Sequence, residues 1–377
     1  MLDRNLSSGV RTATALAFFA ILLFVSACTT TMEESKFKPP VYPPPPEKPR
    51  FIWEHMLRSS ADIKEESAED ALRRMVTGEK PAGEGLAKPY GVAVRRERVF
   101  VGDTASRIVL AFDFVEGRSF KKGASDGPGA LYKPFGLVTD AAGNLYVVDG
   151  TTKNVKMFSW DGEYIRTIAK KGDLSRPTGV TVTPDGTKLF VVDTGGVQSL
   201  DHRVRVYDPR TGEHLYDFGR RGKKPGEFNL PNNAAIGPHG KIYIVDGGNF
   251  RVQVFKQDGT YVMTIGSIGR QFGQFSRPKG IGVDKDGNIY VADAAFGNFQ
   301  IFDPNGRLLL FVGERGGEGT AGQFFLPAGL TVDEDGRVYM VDQFYRKVEI
   351  FRPARLNPDE GYLGGQFPRT TQQPNKG

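Results

Sequence analysis

A tetrapeptide built around proline recurs six times along the 377 residues, and no other feature limits the fold so tightly. The copies are Lys88-Pro89-Tyr90-Gly91, Lys133-Pro134-Phe135-Gly136, Arg176-Pro177-Thr178-Gly179, Leu230-Pro231-Asn232-Asn233, Arg277-Pro278-Lys279-Gly280 and Leu326-Pro327-Ala328-Gly329. Successive prolines lie 45, 43, 54, 47 and 49 positions apart. A period of that length, held over six copies, describes an array of like units, each too small to bury an apolar face alone.

Each copy continues with an alternating apolar strand, a polar turn and a second strand that ends in aspartate, at Asp103, Asp149, Asp193, Asp246, Asp293 and Asp342. A third strand follows, such as RVQVFKQDG from Arg251 or NFQIFDPNG from Asn298, and then a fourth, such as TYVMTIG from Thr260. Alternation, β-branched and aromatic enrichment, and Gly, Asp, Asn and Pro between the runs argue for short antiparallel strands. Four strands per repeat is the pattern of a β-propeller blade, so the expected fold is an all-β, six-bladed propeller.

The stretch G-x-[FL]-x-x-P-x-G, the strand ending YV(A/V)D and the following (R/N)-x-Q-(V/I)-F resemble the NHL repeat family from about Gly85 to Phe351. The resemblance implies a six-bladed propeller of NHL type. Blade four departs from it at Asn232-Asn233, and blade three carries a longer loop after Asp193. The sixth copy has only three strands, ending at Phe351, and Arg352-Pro353-Ala354-Arg355 is no fourth. An unpaired edge would expose backbone donors and acceptors, so Arg50-Phe51-Ile52-Trp53-Glu54 is expected to supply the outer strand of the last blade.

The flanks are read separately. Arg4 and Arg11 precede an apolar run from Ala13 to Val25, too short for the roughly 20 residues of a comfortable span, and Val25-Ser26-Ala27-Cys28 follows. This resembles the lipobox of bacterial lipoproteins, in which the cysteine is lipidated and becomes the mature N-terminus; Thr29 in place of Asp implies the outer membrane. A plain signal peptide or short anchor is the other reading. Cys28 is the one cysteine, which leaves no disulfide and no thiolate metal site. The expected organisation is a signal peptide (1–27), a lipidated proline-rich spacer (28–49), a closing strand and helical segment (50–84), the propeller (85–356) and a disordered tail (357–377). Within the helical segment, Ile63, Ala68, Leu72, Met75 and Val76 could form one apolar face over Ala61 to Thr77, giving a helix packed on the surface as a cover.

Charge is mildly basic, with 50 Lys and Arg against 44 Asp and Glu, which leaves an acidic protein, an anionic glycan or lipid head groups open as partners. Antiparallel connection puts the Pro-x-Gly loops and the loops after each terminal aspartate on one rim. The terminal aspartates recur in every blade and are expected to accept backbone N–H bonds rather than to ligate metal. Asp284-Lys285-Asp286-Gly287-Asn288 resembles a calcium loop at its start but lacks the later ligands, and it reads as a hairpin turn on the opposite rim. The blades differ between Pro and Gly, at Tyr90, Phe135, Thr178, Asn232, Lys279 and Ala328. Of the histidines, only His202 is expected on that rim, and a zinc site needs at least three converging ligands.

The candidate binding face is therefore Tyr90, Phe135, Thr178, His202, Asn232, Phe250, Arg251, Lys279, Phe296, Phe344, Tyr345 and Arg346, an aromatic and basic set suited to protein or glycan. No catalytic residue, metal or cofactor is assigned. The expected function is a membrane-anchored, non-catalytic scaffold of the cell envelope that binds an envelope protein, with no nucleic-acid role because the chain is exported. The alternative is a metal-dependent lyase or lactone hydrolase with its site at the channel mouth.

Overall fold

In a computed structural model, the prolines that mark the repeat each open an innermost strand: Pro89–Arg95, Pro134–Thr139, Pro177–Val182, Pro231–Ile236, Pro278–Val283 and Pro327–Val332. Proline lacks an N–H, so the first position of a strand is where a sheet tolerates it. The structure describes residues 37–64, 67–78, 83–124 and 126–367. The expected signal peptide and Cys28 lie outside them. From Pro39 on, the described residues form one unit, and of the other unit only Phe37 and Lys38 are described.

Every repeat proline pairs with the terminal aspartate of its own blade, from Pro89 with Asp103 to Pro327 with Asp342, and every inner strand shifts register just after it. The shift is a bulge at Pro-x-Gly, which bends the strand where it meets the axis. Crowding there explains the glycines. A Cβ on Gly136 would lie 2.8 Å from the Thr178 carbonyl oxygen, one on Gly280 2.5 Å from that of Ala328, and one on Gly329 2.6 Å from that of Tyr90. The last contact joins blade six to blade one and closes the ring.

Five blades are four-stranded sheets of consecutive strands. The sixth is completed by Phe51–Leu57, which pairs antiparallel with Lys347–Pro353 from Phe51 opposite Pro353 to Leu57 opposite Val348. The expected closing strand is in place. Its apolar residues Phe51, Trp53 and Leu57 are buried, as alternation requires.

Three flanking segments differ from expectation. The proline-rich spacer is docked from Pro40: Val41–Tyr42 pairs with Phe51 and Ile52 as a fifth strand, the Trp53 N–H donates to the Pro40 carbonyl at 2.9 Å, and the Tyr42 ring meets Phe351 edge-on at 6.0 Å. Val41 and Tyr42 retain backbone groups that the edge of the borrowed strand can pair. The helix spans Ala68–Thr77, capped by Ser67 and Gly78, and buries none of its residues; Leu72, Met75 and Val76 stand exposed. Ile63 belongs to a separate 3₁₀ turn, Ser60–Ile63, and is buried. The covering role falls to residues 357–367, expected to be disordered. Leu363 is fully buried among Leu57, Ile63 and Phe114, and Phe367 stacks on His55 at 4.8 Å. Residues 368–377 lie outside the described set.

Candidate binding face at the channel mouth

The terminal aspartates are fixtures of their own blades. In blade one, Asp103 Oδ2 accepts the N–H groups of Ala87 and Lys88 at 2.6 and 2.9 Å, and Oδ1 those of Ala105 and Ser106 at 3.0 and 2.9 Å. Asp149, Asp293 and Asp342 repeat the pattern. Each carboxylate thus ties the loop before its inner strand to the loop after its second strand. On the opposite rim Asp284 does the same for its own turn, accepting the Asn288 N–H at 2.8 Å and the Tyr290 hydroxyl at 2.9 Å.

Blade four breaks the pattern. Asp246 accepts the Asn229 N–H at 2.6 Å, but the next donor, Leu230 N–H, turns to His202 Nδ1 at 3.3 Å. His202 Nε2 is bonded to the Gly196 carbonyl at 3.1 Å, so it is the donor nitrogen, and the ring is fully buried. His202 therefore leaves the candidate face. It stitches the long loop after Asp193 to the neighbouring blade, using a backbone donor that the altered loop sets free. The coincidence of a lengthened loop in one blade with Asn232-Asn233 in the next is the signal that could have revealed it.

Other candidates are partly committed to the fold. Arg251 pairs with Asp246 at 2.8 Å and donates to the carbonyls of Lys224 and Glu227. Phe250 packs against the core between blades four and five. Thr178 is buried, its hydroxyl donating to the Asn232 carbonyl at 2.9 Å. The Tyr345 hydroxyl donates to the Gly316 carbonyl at 2.7 Å. Phe296 is half-buried.

The remainder shape an asymmetric mouth. The Tyr90 and Phe135 rings meet at 4.8 Å with a 54° tilt on blades one and two. On blade four the Asn232 side-chain amide donates to the Pro278 carbonyl at 3.1 Å, bridging to blade five. There Lys279 is half-buried; loss of solvent, then the charges of Arg277 and Arg176, push its ammonium below the usual lysine range. Arg176, just before the blade-three proline, was missed in the sequence because it flanks the variable position. Beneath the mouth a cavity of about 160 Å³ runs between the inner strands, and Asn233 lines it where most blades have glycine. Farther out, Phe344 is exposed and meets the Phe325 ring at 4.5 Å with a 39° tilt, and Arg346, two residues on, is exposed as well.

A family model for the NHL repeat matches residues 228–255 and 275–302, which run from the loop before the inner strand to the third strand of blades four and five. The chain is an NHL-repeat β-propeller. The human (Homo sapiens) NHL repeat-containing protein 3 is 26% identical over 134 residues, 34% of this chain and 37% of that protein. Peptidyl-glycine alpha-amidating monooxygenase of Mus musculus is 29% identical over 148 residues, 36% of this chain and 15% of that protein. The chain spans well under half the length of these curated relatives. Among solved structures, a streptogramin B lyase aligns with a TM-score of 0.52 at 14% identity, over 71% of this chain and 94% of that one. At such identity the likeness is one of fold.

The NHL glutamine has a visible task. Gln253 and Gln300 each accept a loop glycine N–H, from Gly226 and Gly273 at 2.9 Å, and donate to the carbonyls of Glu227 at 2.7 Å and Gln274 at 2.8 Å. They clamp the loop that leads into the inner strand. In blade six Glu349 holds this position and accepts from Gly322 at 2.8 Å, while Lys347 supplies the missing donor to the Gln323 carbonyl at 2.7 Å.

Proposed function

We propose that this NHL propeller is a membrane-tethered, non-catalytic scaffold of the bacterial cell envelope, anchored through Cys28, that binds a partner protein on the rim of its Pro-x-Gly loops. The observation that carries this reading is the division of labour on that rim. The carboxylates nearest the channel are engaged by backbone amides, whereas Tyr90, Phe135, Lys279, Phe344 and Arg346 are left to shape its surface. Half-buried Tyr90 and Phe135 with exposed Phe344 and Arg346 match the aromatic and arginine enrichment of protein-binding patches. Among the described residues no three His, Cys, Asp or Glu side chains converge as metal ligands.

The test is cross-linking and mass spectrometry on membranes from cells producing the full chain, beside Cys28→Ser and Phe344→Ala variants. Cys28→Ser should move the protein out of the membrane fraction. Phe344→Ala should weaken a reproducible cross-link to one partner. The lyase or lactone-hydrolase reading gains instead if purified protein carries stoichiometric divalent metal that Asn232→Ala removes, together with turnover of a lactone.

A further inference from the structure

The channel mouth carries a half-buried cation that no acidic side chain among the described residues pairs. Lys279 sits on the inner strand of blade five, half-buried, and forms no hydrogen bond or ion pair with the described residues. Its charged neighbours are Arg277 and Arg176, both cations. Arg176, just before the proline that opens the inner strand of blade three, is exposed on the same rim. An ammonium withdrawn from water among like charges is unfavourable until an anion joins it.

The surrounding rim extends the pattern. Lys153 and Arg346 follow their terminal aspartates in the left-handed conformation, are exposed, and pair with no acid among the described residues. These cations lie on blades two, three, five and six. One small ion cannot meet them all, but an extended chain advancing roughly 3.3 Å per residue can. The Tyr90 and Phe135 rings, in contact at 4.8 Å and tilted at 54°, present an uneven apolar wall and not a flat platform for a sugar or base.

We propose that the channel mouth receives an acidic segment of a partner protein, with one glutamate or aspartate carboxylate seated on Lys279 and flanking acids on the outer cations. This deepens the scaffold reading and rests on it. It identifies the partner by chemistry: an exposed, extended run of carboxylates on another protein.

Calorimetric titration of the full chain in detergent with a glutamate-rich decapeptide tests it, with a galacturonate oligomer of matched charge and a glutamine-rich peptide as comparisons. The glutamate peptide should bind, the glutamine peptide should not, and Lys279→Gln should weaken binding by about tenfold or more. Arg176→Gln should weaken it as well, and Lys279→Arg should restore most of it. NMR of labelled lysine should show the Lys279 pKa rising on binding. Equal affinity in Lys279→Gln, or tighter binding of the galacturonate oligomer, would overturn the proposal. Thermal unfolding of each variant separates lost binding from lost folding. A partner cross-linked in membranes but indifferent to Lys279→Gln would leave the scaffold reading standing and this one refuted.

Discussion

The indole N–H of Trp53 donates to Glu349 Oε2 at 3.0 Å, joining residues 296 positions apart. Glu349 also accepts from the Gly322 N–H and from Lys347, and all these groups are buried. Removing one member of a buried ion pair leaves the other uncompensated, which costs about 3–5 kcal/mol. Glu349→Ala should therefore lower the unfolding free energy by about that much in urea titrations. The double variant Lys347→Asn with Glu349→Gln copies the Asn298 and Gln300 of blade five, and it should cost clearly less than the two single changes added together. Strict additivity would show that the two side chains do not act as a unit.

Axial crowding makes a second expectation. A methyl group on Gly329 would lie 2.6 Å from the Tyr90 carbonyl oxygen, at the seam between first and last blades. Gly329→Ala should destabilise by about 1–3 kcal/mol, the usual cost of overpacking. Gly196, in the blade-three loop, has open space where a methyl group would sit, and Gly196→Ala should stay within about 0.5 kcal/mol of the parent. Differential scanning calorimetry distinguishes the two outcomes.

Acid should loosen the same seam. Burial pushes His55 down from 6.5 to about 4, against an opposing pull from Asp62, and the ring is fully enclosed by the closing strand and Phe367. Because the unfolded chain binds a proton that the folded chain refuses, the His55 contribution is complete above pH 6.5 and is lost as pH falls toward 4. The loss is about 3 kcal/mol at its full extent. His55→Gln should flatten the stability profile between those limits in urea melts taken at several pH values. An unchanged slope in that variant would assign the acid sensitivity to another group.

Much of this architecture is legible in sequence because it is repeated. The proline that opens each inner strand and the aspartate that ends its partner recur six times, so their pairing follows from alternation alone. The borrowed strand was legible for a different reason: the sixth copy visibly lacked one, and Phe51 to Leu57 alternates correctly. What escaped depends on contacts that occur once. Val41 and Tyr42 pair with an edge that exists only because the strand beside it is borrowed. The burial of His202 depends on a backbone donor 28 positions away. Periodicity gives the helix Ala68–Thr77 an apolar face but cannot say that Leu363 and Phe367 cover the core in its place. At the mouth, the variable position between Pro and Gly pointed to Lys279, whereas Arg176 enters only when the blades are placed around a common axis.

The two-ended sixth blade also sets a clock. Phe51–Leu57 is among the first parts of the ring to be synthesised and Lys347–Pro353 the last, so at roughly 5–20 residues per second the early strand waits on the order of 15–60 s for its partner. Throughout that interval its hydrogen-bonding edge is open to any other strand or to a chaperone that holds it. A chain interrupted anywhere before Lys347 cannot close the circle. Completion of the ring therefore reports that synthesis has passed Pro353, and a product truncated before Lys347 is left with a free edge that quality control can seize.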